Sequence, residues 1–278
     1  MPELPEVETV RRGLERWCLN KTLAKIELLH PRATNPRSIS PITDIKGATI
    51  LEICRRGKFL WFVLDRPVAL VAHLGMSGQF RIQPPATLDE KHLRARFLMG
   101  NQELRFIDQR TFGWLAISPL QGEIPTLVQA IAPDIFDEEF DRQAVTRRIR
   151  GKASEIKRVL LDQSVMSGVG NIYADESLWR SKIHPQTLGS ELSSRKLGSL
   201  LNAVTSVMSQ ALLEGGTSFD SLYTNINGES GYFAHSLAAY GRENQPCSRC
   251  HNQISRIKIG GRSSHFCPKC QVRFSKEK

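Results

Sequence analysis

Apolar residues recur at two periods along this chain, and the change of period divides it. Over residues 5–19, Val7, Val10, Leu14 and Trp17 fall at helical spacing, while Arg11, Arg12, Glu15 and Arg16 occupy other faces. This predicts one helix with a single core-facing stripe. From Leu23 to Ile117 the pattern is instead one of short β-rich runs: Leu23–Leu29, Thr49–Cys54, Phe59–Leu64, Val68–His73, Gln79–Ile82, Ala95–Met99, Glu103–Ile107 and Trp114–Ser118. Turn signals at Arg56-Gly57 and Gly100-Asn101 separate several of them. Many strands with one helix predict a β-sandwich or barrel. Near Pro119–Pro133 the strand pattern ends, and Gly122, Pro125 and Pro133 suit a linker. From Asp141 the chain reads as helices, at 141–150, 153–163, 172–181 and 193–214. The last carries Leu197, Leu200, Leu201, Val204, Val207, Met208, Ala211 and Leu212 on one broad face and stops at Gly215-Gly216. Residues 217–244 are polar and rich in Gly, Ser and Asn, which predicts a long loop of the kind that is usually functional or mobile. No internal repeat is visible.

Composition narrows the function. At 278 residues the chain is long enough for two domains and a large core. Lys and Arg outnumber Asp and Glu by 38 to 28, a net charge of +10, which favours a polyanionic partner, nucleic acid first. A basic protein with no such partner has the same charge. No apolar run approaches the ~18 residues of a membrane span, and the acidic start of the chain lacks a signal-peptide core. Of six cysteines, Cys18 and Cys54 stand alone and suit buried packing. The other four form Cys247-x2-Cys250-x16-Cys267-x2-Cys270. Two close pairs on two turns can supply a tetrahedral thiolate set, which suits one zinc ion. Four cysteines leave no open coordination position, so the metal is expected to be structural. The basic residues between the pairs, Arg256, Lys258, Arg262 and His265, fall on an expected β-hairpin that zinc would hold rigid against a phosphate backbone. Gly260-Gly261 places Arg262 near its tip.

Five further stretches could carry chemistry. The first eight residues read MPELPEVE. Loss of Met1 would give Pro2 a free secondary amine, a carbon nucleophile once unprotonated, with Glu3 and Glu6 beside it to move protons. The plainer reading is that both prolines start a helix. Gly168-Val169-Gly170-Asn171 lies between two helical segments, where backbone N–H groups and a helix N-terminus favour an anion; Asn171 could cap that helix or bind phosphate. Lys152, Lys157 and Arg158 just upstream favour phosphate. Arg55-Arg56-Gly57-Lys58 sits on a predicted hairpin turn that would present Lys58 from a rigid sheet, or simply to solvent. Met76 in HLGMSG and Phe112 in DQRTFG, with Arg110, have the chemistry of wedges that enter a base stack; core packing is the competing reading.

Together these segments resemble the formamidopyrimidine-DNA glycosylases, bacterial enzymes that remove oxidised purines. The resemblance rests on MPELPEVETVRRGLE, RRGK, HLGMSG, DQRTFG, GVGNIYADESLW, GGTSF and the finger with GGRSSHFCPKCQ, in order over nearly the whole chain. It implies an α+β multidomain protein: an N-terminal two-layer β-sandwich with a flanking helix, a helical domain with a helix–two-turn–helix element, and a C-terminal zinc-finger hairpin. The corresponding boundaries are 1–118 for the catalytic domain, 119–140 for the linker, 141–236 for the helical domain with its lesion loop at 217–236, and 237–278 for the finger. It implies that Pro2 is the Schiff-base nucleophile, Glu3 the proton-handling acid, Lys58 the lysine of β-elimination, and Arg262 the arginine of δ-elimination and phosphate contact. Met76, Arg110 and Phe112 would fill the hole left by a flipped base, with Arg110 facing the orphaned cytosine. His92, Lys152 and Asn171 would contact DNA phosphates. Asp220 follows Phe219 where the family often has basic residues, and Leu93-Arg94 follows His92 where many members have a second histidine. The implied partner is double-stranded damaged DNA, gripped between two domains by a monomer in the bacterial cytoplasm, at the nucleoid, with no membrane. The nearer rival is a glycosylase for oxidised pyrimidines; a rival of another class is a non-enzymatic zinc-dependent DNA-binding protein.

Overall fold

The computed structural model describes residues 2–216 and 233–273, Ala234 by its backbone alone. The described chain divides into two compact units. The first holds the residues up to Ala130 together with Glu214–Gly216 and Phe233–Ala234; the second holds Ile131–Leu213 and the chain from His235 onward. Residues 214–216 and 233–234, expected with the helical domain, therefore group with the first unit.

The first unit opens with helix α1, Leu4–Cys18. Glu3 is its N-cap and Pro5 lies in its first turn, where a missing N–H costs nothing. The Glu3 N–H donates to Glu6 Oε2 at 2.9 Å, one half of a capping box. Val7, Val10, Leu14 and Cys18 form its buried stripe. Nine strands follow: β1 Lys25–Leu28, β2 Ile50–Arg56, β3 Phe59–Leu64, β4 Val68–His73, β5 Gly78–Gln83, β6 Leu93–Met99, β7 Gln102–Asp108, β8 Trp114–Gln121 and β9 Ile124–Pro125. They form two antiparallel sheets, β1-β6-β7-β5 and β2-β3-β4-β8-β9. Leu60, Phe62, Leu70 and Ala72 from one sheet share a buried core with Phe80, Phe97, Leu104 and Phe106 from the other, and α1 adds its stripe to the same core. This is the expected sandwich. The strand pattern does not end at Pro119: β8 runs to Gln121 and turns through Gly122, at φ +64°, into the edge strand β9. Pro125 is tolerated there because an edge strand has no second neighbour needing its N–H.

The second unit contains α2 Arg142–Arg150, α3 Ile156–Leu161, α4 Asn171–Ser181 and α5 Ser194–Leu213, then the hairpin of β10 Ser255–Ile259 and β11 Arg262–Phe266. Helix α4 is buried over most of its length, including Asp175 and Glu176. Buried carboxylates need partners, and both have them in segments distant in sequence, as described below.

Candidate active site

Pro2, Glu3 and Glu6 are buried at the start of α1. Lys58 is the second residue of the two-residue β2–β3 turn and is also buried, not presented to open solvent. Gly57 precedes it at φ +57°, a conformation that costs glycine little. Glu8 ties these two elements together. Its carboxylate accepts from Arg11 Nε at 3.0 Å and Arg12 Nε at 2.9 Å on its own helix, and from Arg55 Nε at 3.0 Å on β2. Arg11 Nη1 also donates to the Ile53 carbonyl at 3.1 Å. Burial works to raise the Glu8 pKa, but the hydrogen bonds and charges of Arg11 and Arg55 outweigh it and hold the carboxyl below its ordinary value. The helix that follows Pro2 is thus clamped to the strand that leads to Lys58.

His73, at the end of β4, faces Phe59 across the strand pair, with ring centroids 5.0 Å apart, and stacks on Trp114 at 5.7 Å. Burial, and then the charge of Lys58, take its pKa down to about 4, so it is neutral near pH 7. Beyond Gly216, whose Cα lies where a Cβ would come within 3.1 Å of Glu6, the Phe233 N–H donates to the Gly216 carbonyl at 3.1 Å. The lesion loop expected at 217–236 lies for the most part outside the described residues.

Met76, Arg110 and Phe112 project from two loops locked to each other. Gly75 sits at φ +60°, and a Cβ there would lie 2.3 Å from the Phe112 carbonyl carbon, so only glycine permits this approach. Asp108, fully buried, accepts from Ser77 Oγ at 2.5 Å, from the Gly113 N–H at 2.7 Å and from the Arg110 N–H at 3.2 Å. Ser77 Oγ in turn accepts from the Arg110 N–H at 2.9 Å. With the loop backbones fixed, Met76 is 39% and Phe112 53% exposed, too open for core residues. The Arg110 guanidinium lies 5.0 Å from the Phe112 ring centroid, a cation–π distance. Asp108 had no role in the sequence reading; its signal is the Asx-turn pattern, a carboxylate accepting the N–H two residues on. His92, half-buried, precedes β6 and is held through its carbonyl, which accepts the Asp108 N–H at 3.0 Å.

In the second unit, Asn171 opens α4 but does not cap it, because Gly170 occupies the cap position. Its Nδ2 donates to the Ser263 carbonyl of β11 at 2.9 Å, tying helix to finger. Lys152 pairs with Asp162 at 3.1 Å and stays partly exposed. Lys157, grouped with the phosphate-binding cations in the sequence reading, is instead buried and bonded to Asp175 at 2.5 Å. Asp175 also accepts from Ser264 Oγ at 2.7 Å and from the His265 N–H at 2.9 Å. His265 is therefore part of the finger's attachment rather than a surface cation of the hairpin. Arg262, after Gly260-Gly261, is exposed at the start of β11, as expected. Glu176 accepts the N–H groups of Ala238, Ala239 and Tyr240 at 2.8–3.0 Å, and burial pushes its carboxyl above the ordinary value despite them.

The Sγ atoms of Cys247, Cys250, Cys267 and Cys270 all lie within 4.8 Å of one another. Tetrahedral zinc thiolates at ~2.3 Å require Sγ atoms ~3.8 Å apart, so the set fits one zinc ion with every position filled by sulfur. Neighbouring groups orient it. Trp179 Nε1 donates to Cys247 Sγ at 3.4 Å, and Gln271 Oε1 accepts the Cys267 N–H at 2.8 Å. Cys18 and Cys54 lie outside this set, and burial pushes each thiol up to about 12, so neither is a reactive thiolate at neutral pH. No helix among the described residues is long and apolar enough to cross a membrane.

Three family models match in order: the formamidopyrimidine-DNA glycosylase N-terminal domain over residues 1–115, the formamidopyrimidine-DNA glycosylase H2TH domain over 131–222, and the zinc finger found in FPG and IleRS over 244–272. The formamidopyrimidine-DNA glycosylase of Rhodococcus opacus is 53% identical over 98% of this chain and 97% of its own, and that of Thermobifida fusca 49% identical over 98% of both. A point mutant of Lactococcus lactis FPG, solved in complex with DNA containing Fapy-dG, superposes with a TM-score of 0.87 at 34% identity, covering 98% of this chain and 100% of that one. The MutM (FPG) protein of Thermus thermophilus gives 0.87 at 37% identity, covering 99% and 100%. The two-sheet sandwich, the helical unit with its glycine-led α4, the four-thiolate finger and these matches along the whole length agree: the chain belongs to the formamidopyrimidine-DNA glycosylase family.

Proposed function

We propose that this protein excises oxidised purines from double-stranded DNA through a Schiff base at Pro2 and then cuts the strand as an abasic-site lyase. Glycosylase action on oxidised purines and lyase activity are characteristic of the family, and the zinc is structural. A damaged base cannot be reached within the stack and must be extruded. Met76 and Phe112 enter the gap and offset part of the unstacking cost, while Arg110 faces the orphaned base. With Met1 removed, the Pro2 nitrogen bonds to sugar C1′ as the glycosidic bond breaks, and the base leaves with a proton. Glu3 relays protons at the sugar, and O4′ takes one as the C1′–O4′ bond opens and leaves the C1′=N iminium. The iminium acidifies C2′; loss of that proton breaks the C3′–O bond, with Lys58 assisting, and a second elimination breaks the C5′–O bond, with Arg262 at the phosphate. His92, Lys152 and Asn171 hold phosphates. The enzyme acts as a monomer in the bacterial cytoplasm on nucleoid DNA.

The observation that most supports this reading is the Glu8 clamp, which holds the helix that follows Pro2 against the strand leading to the buried Lys58. Borohydride trapping on duplex DNA containing 8-oxoguanine tests it. Native protein should give a covalent adduct and strand cleavage, and Pro2→Gly should reduce trapping by about tenfold or more. Absence of adduct and cleavage with native protein would favour a DNA-binding protein without activity. Faster excision of oxidised pyrimidines than of oxidised purines would favour the nearer rival.

A further inference from the structure

Helix α2 carries four arginines in nine residues and no carboxylate. Val145 and Ile149 bury one face, which leaves Arg142, Arg147 and Arg150 along another. That second face meets α5, and a groove of about 550 Å³ lies between the two helices. Arg142 Nη2 donates to Asn202 Oδ1 at 2.6 Å and Arg150 Nη1 reaches Ser194 Oγ at 3.5 Å. The helices therefore run antiparallel here, and the arginines bridge the two ends. Midway, Gly198 lines the groove above the buried Leu201; among the described residues, a Cβ on Gly198 would meet nothing within 4 Å. Glycine in the middle of a helix costs about 1 kcal/mol relative to alanine, and among the described residues nothing packed against Gly198 offsets this. Among the described residues, the acidic group paired with these arginines is Asp141, 3.9 Å from Arg147, and it is occupied capping α2 by accepting the Gln143 and Ala144 N–H groups. None of these residues has a part in the proposed chemistry or DNA contacts.

We propose that this groove docks an extended acidic segment of a partner protein, with carboxylates along the arginine wall and apolar side chains over Gly198 and Leu201. Arg142 and Arg150 are eight residues apart, about 12 Å along a helix. Alternate residues of an extended peptide repeat every ~7 Å, so three carboxylates on one edge span the arginine wall while the opposite edge meets the floor. Guanidinium forks match carboxylates in a bidentate manner. A DNA duplex on this face would set phosphates against the arginines and leave the space over Gly198 unfilled, so the test below separates the two occupants.

The test uses the full, zinc-loaded protein and a fluorescent peptide of alternating glutamate and leucine, followed by anisotropy. The account predicts binding to native protein, weakened at least about tenfold by R142Q/R147Q/R150Q through loss of charge. It predicts similar weakening by Gly198→Leu, which fills the groove without altering charge and suits a helix. Excision rates of both variants, measured with enzyme in excess, should equal the native rate, which shows that they fold. Binding should survive one equivalent of a short lesion duplex. No peptide binding, or equal binding to Gly198→Leu, would overturn the groove. Displacement by the duplex would make DNA the occupant and overturn the proposal as well. Because excision is read separately, failure here leaves the proposed chemistry standing.

Discussion

The carboxylate of Asp108 is expected to set the geometry of the base-stack wedge, and Asp108→Asn isolates that role. The residue is fully buried and accepts three hydrogen bonds, from Ser77 Oγ, the Gly113 N–H and the Arg110 N–H. An asparagine keeps one oxygen and replaces the other with an NH2 group. Whichever way it turns, a donor then faces a donor. Losing one charge-assisted bond costs about 1.5–3 kcal/mol, and the opposed donors bring the total to about 3 kcal/mol. At 2–4 °C per kcal/mol for a chain of this size, the unfolding midpoint should fall by about 6–12 °C. The functional consequence is selective. With the Met76 loop released from the Phe112 loop, excision of 8-oxoguanine from duplex DNA should slow and the choice of opposite base should relax. Elimination at an abasic site in single-stranded DNA, where there is no orphaned base to face, should be unchanged. The assay is single-turnover kinetics on both substrates beside a thermal melt. An Asp108→Asn protein that melts within about 1 °C of native and keeps its opposite-base preference would refute the reasoning.

Glu8→Gln should weaken the tie between α1 and β2, lowering single-turnover elimination on abasic DNA more than it lowers DNA affinity; equal effects on both would count against the clamp. Because the folded pKa of Glu8 is depressed, its contribution is present above the unfolded value near 4.5 and is lost as pH falls through the folded value. The Glu8→Gln penalty should therefore shrink in acid, as checked by urea unfolding at several pH values. His73 has the opposite linkage: with its pKa lowered from 6.5 to about 4, the unfolded chain binds its proton first, so stability falls as pH drops from 6.5 towards 4, by about 3 kcal/mol at most. His73→Phe should flatten that slope, and an unchanged slope would remove His73 as its source. Cys250→Ser should lose zinc by elemental analysis and weaken DNA binding, because the finger folds around the metal; undiminished affinity would contradict the finger's role.

Much of this was legible in the sequence, for reasons that differ by feature. Strands β3 and β4 match their expected spans because each is a continuous apolar run bounded by turn residues. The finger was legible because its four ligands come as two close pairs. The end of the sandwich was not, because Pro119 and Pro125 read as breakers although they lie in β8 and on the edge strand β9. Lys157 read as a surface cation because its partner Asp175 lies 18 residues away, and His265 read likewise because Asp175 lies 90 residues away. Glu8 makes the α1–β2 tie through Arg55, 47 residues distant, which no local pattern displays, and the Asx turn of Asp108 does not reveal its bond to Ser77, 31 residues away.

The central claim is that the chain's own second residue forms the covalent bond to DNA. Reduction of the reaction on 8-oxoguanine DNA with borohydride, nuclease digestion and tandem mass spectrometry of the N-terminal peptide reads that bond directly. The account predicts a peptide that begins at Pro2, with Met1 absent and a reduced sugar remnant on the proline nitrogen. A remnant on Lys58 or any other amine, or an adduct formed by protein that still carries Met1, would contradict it.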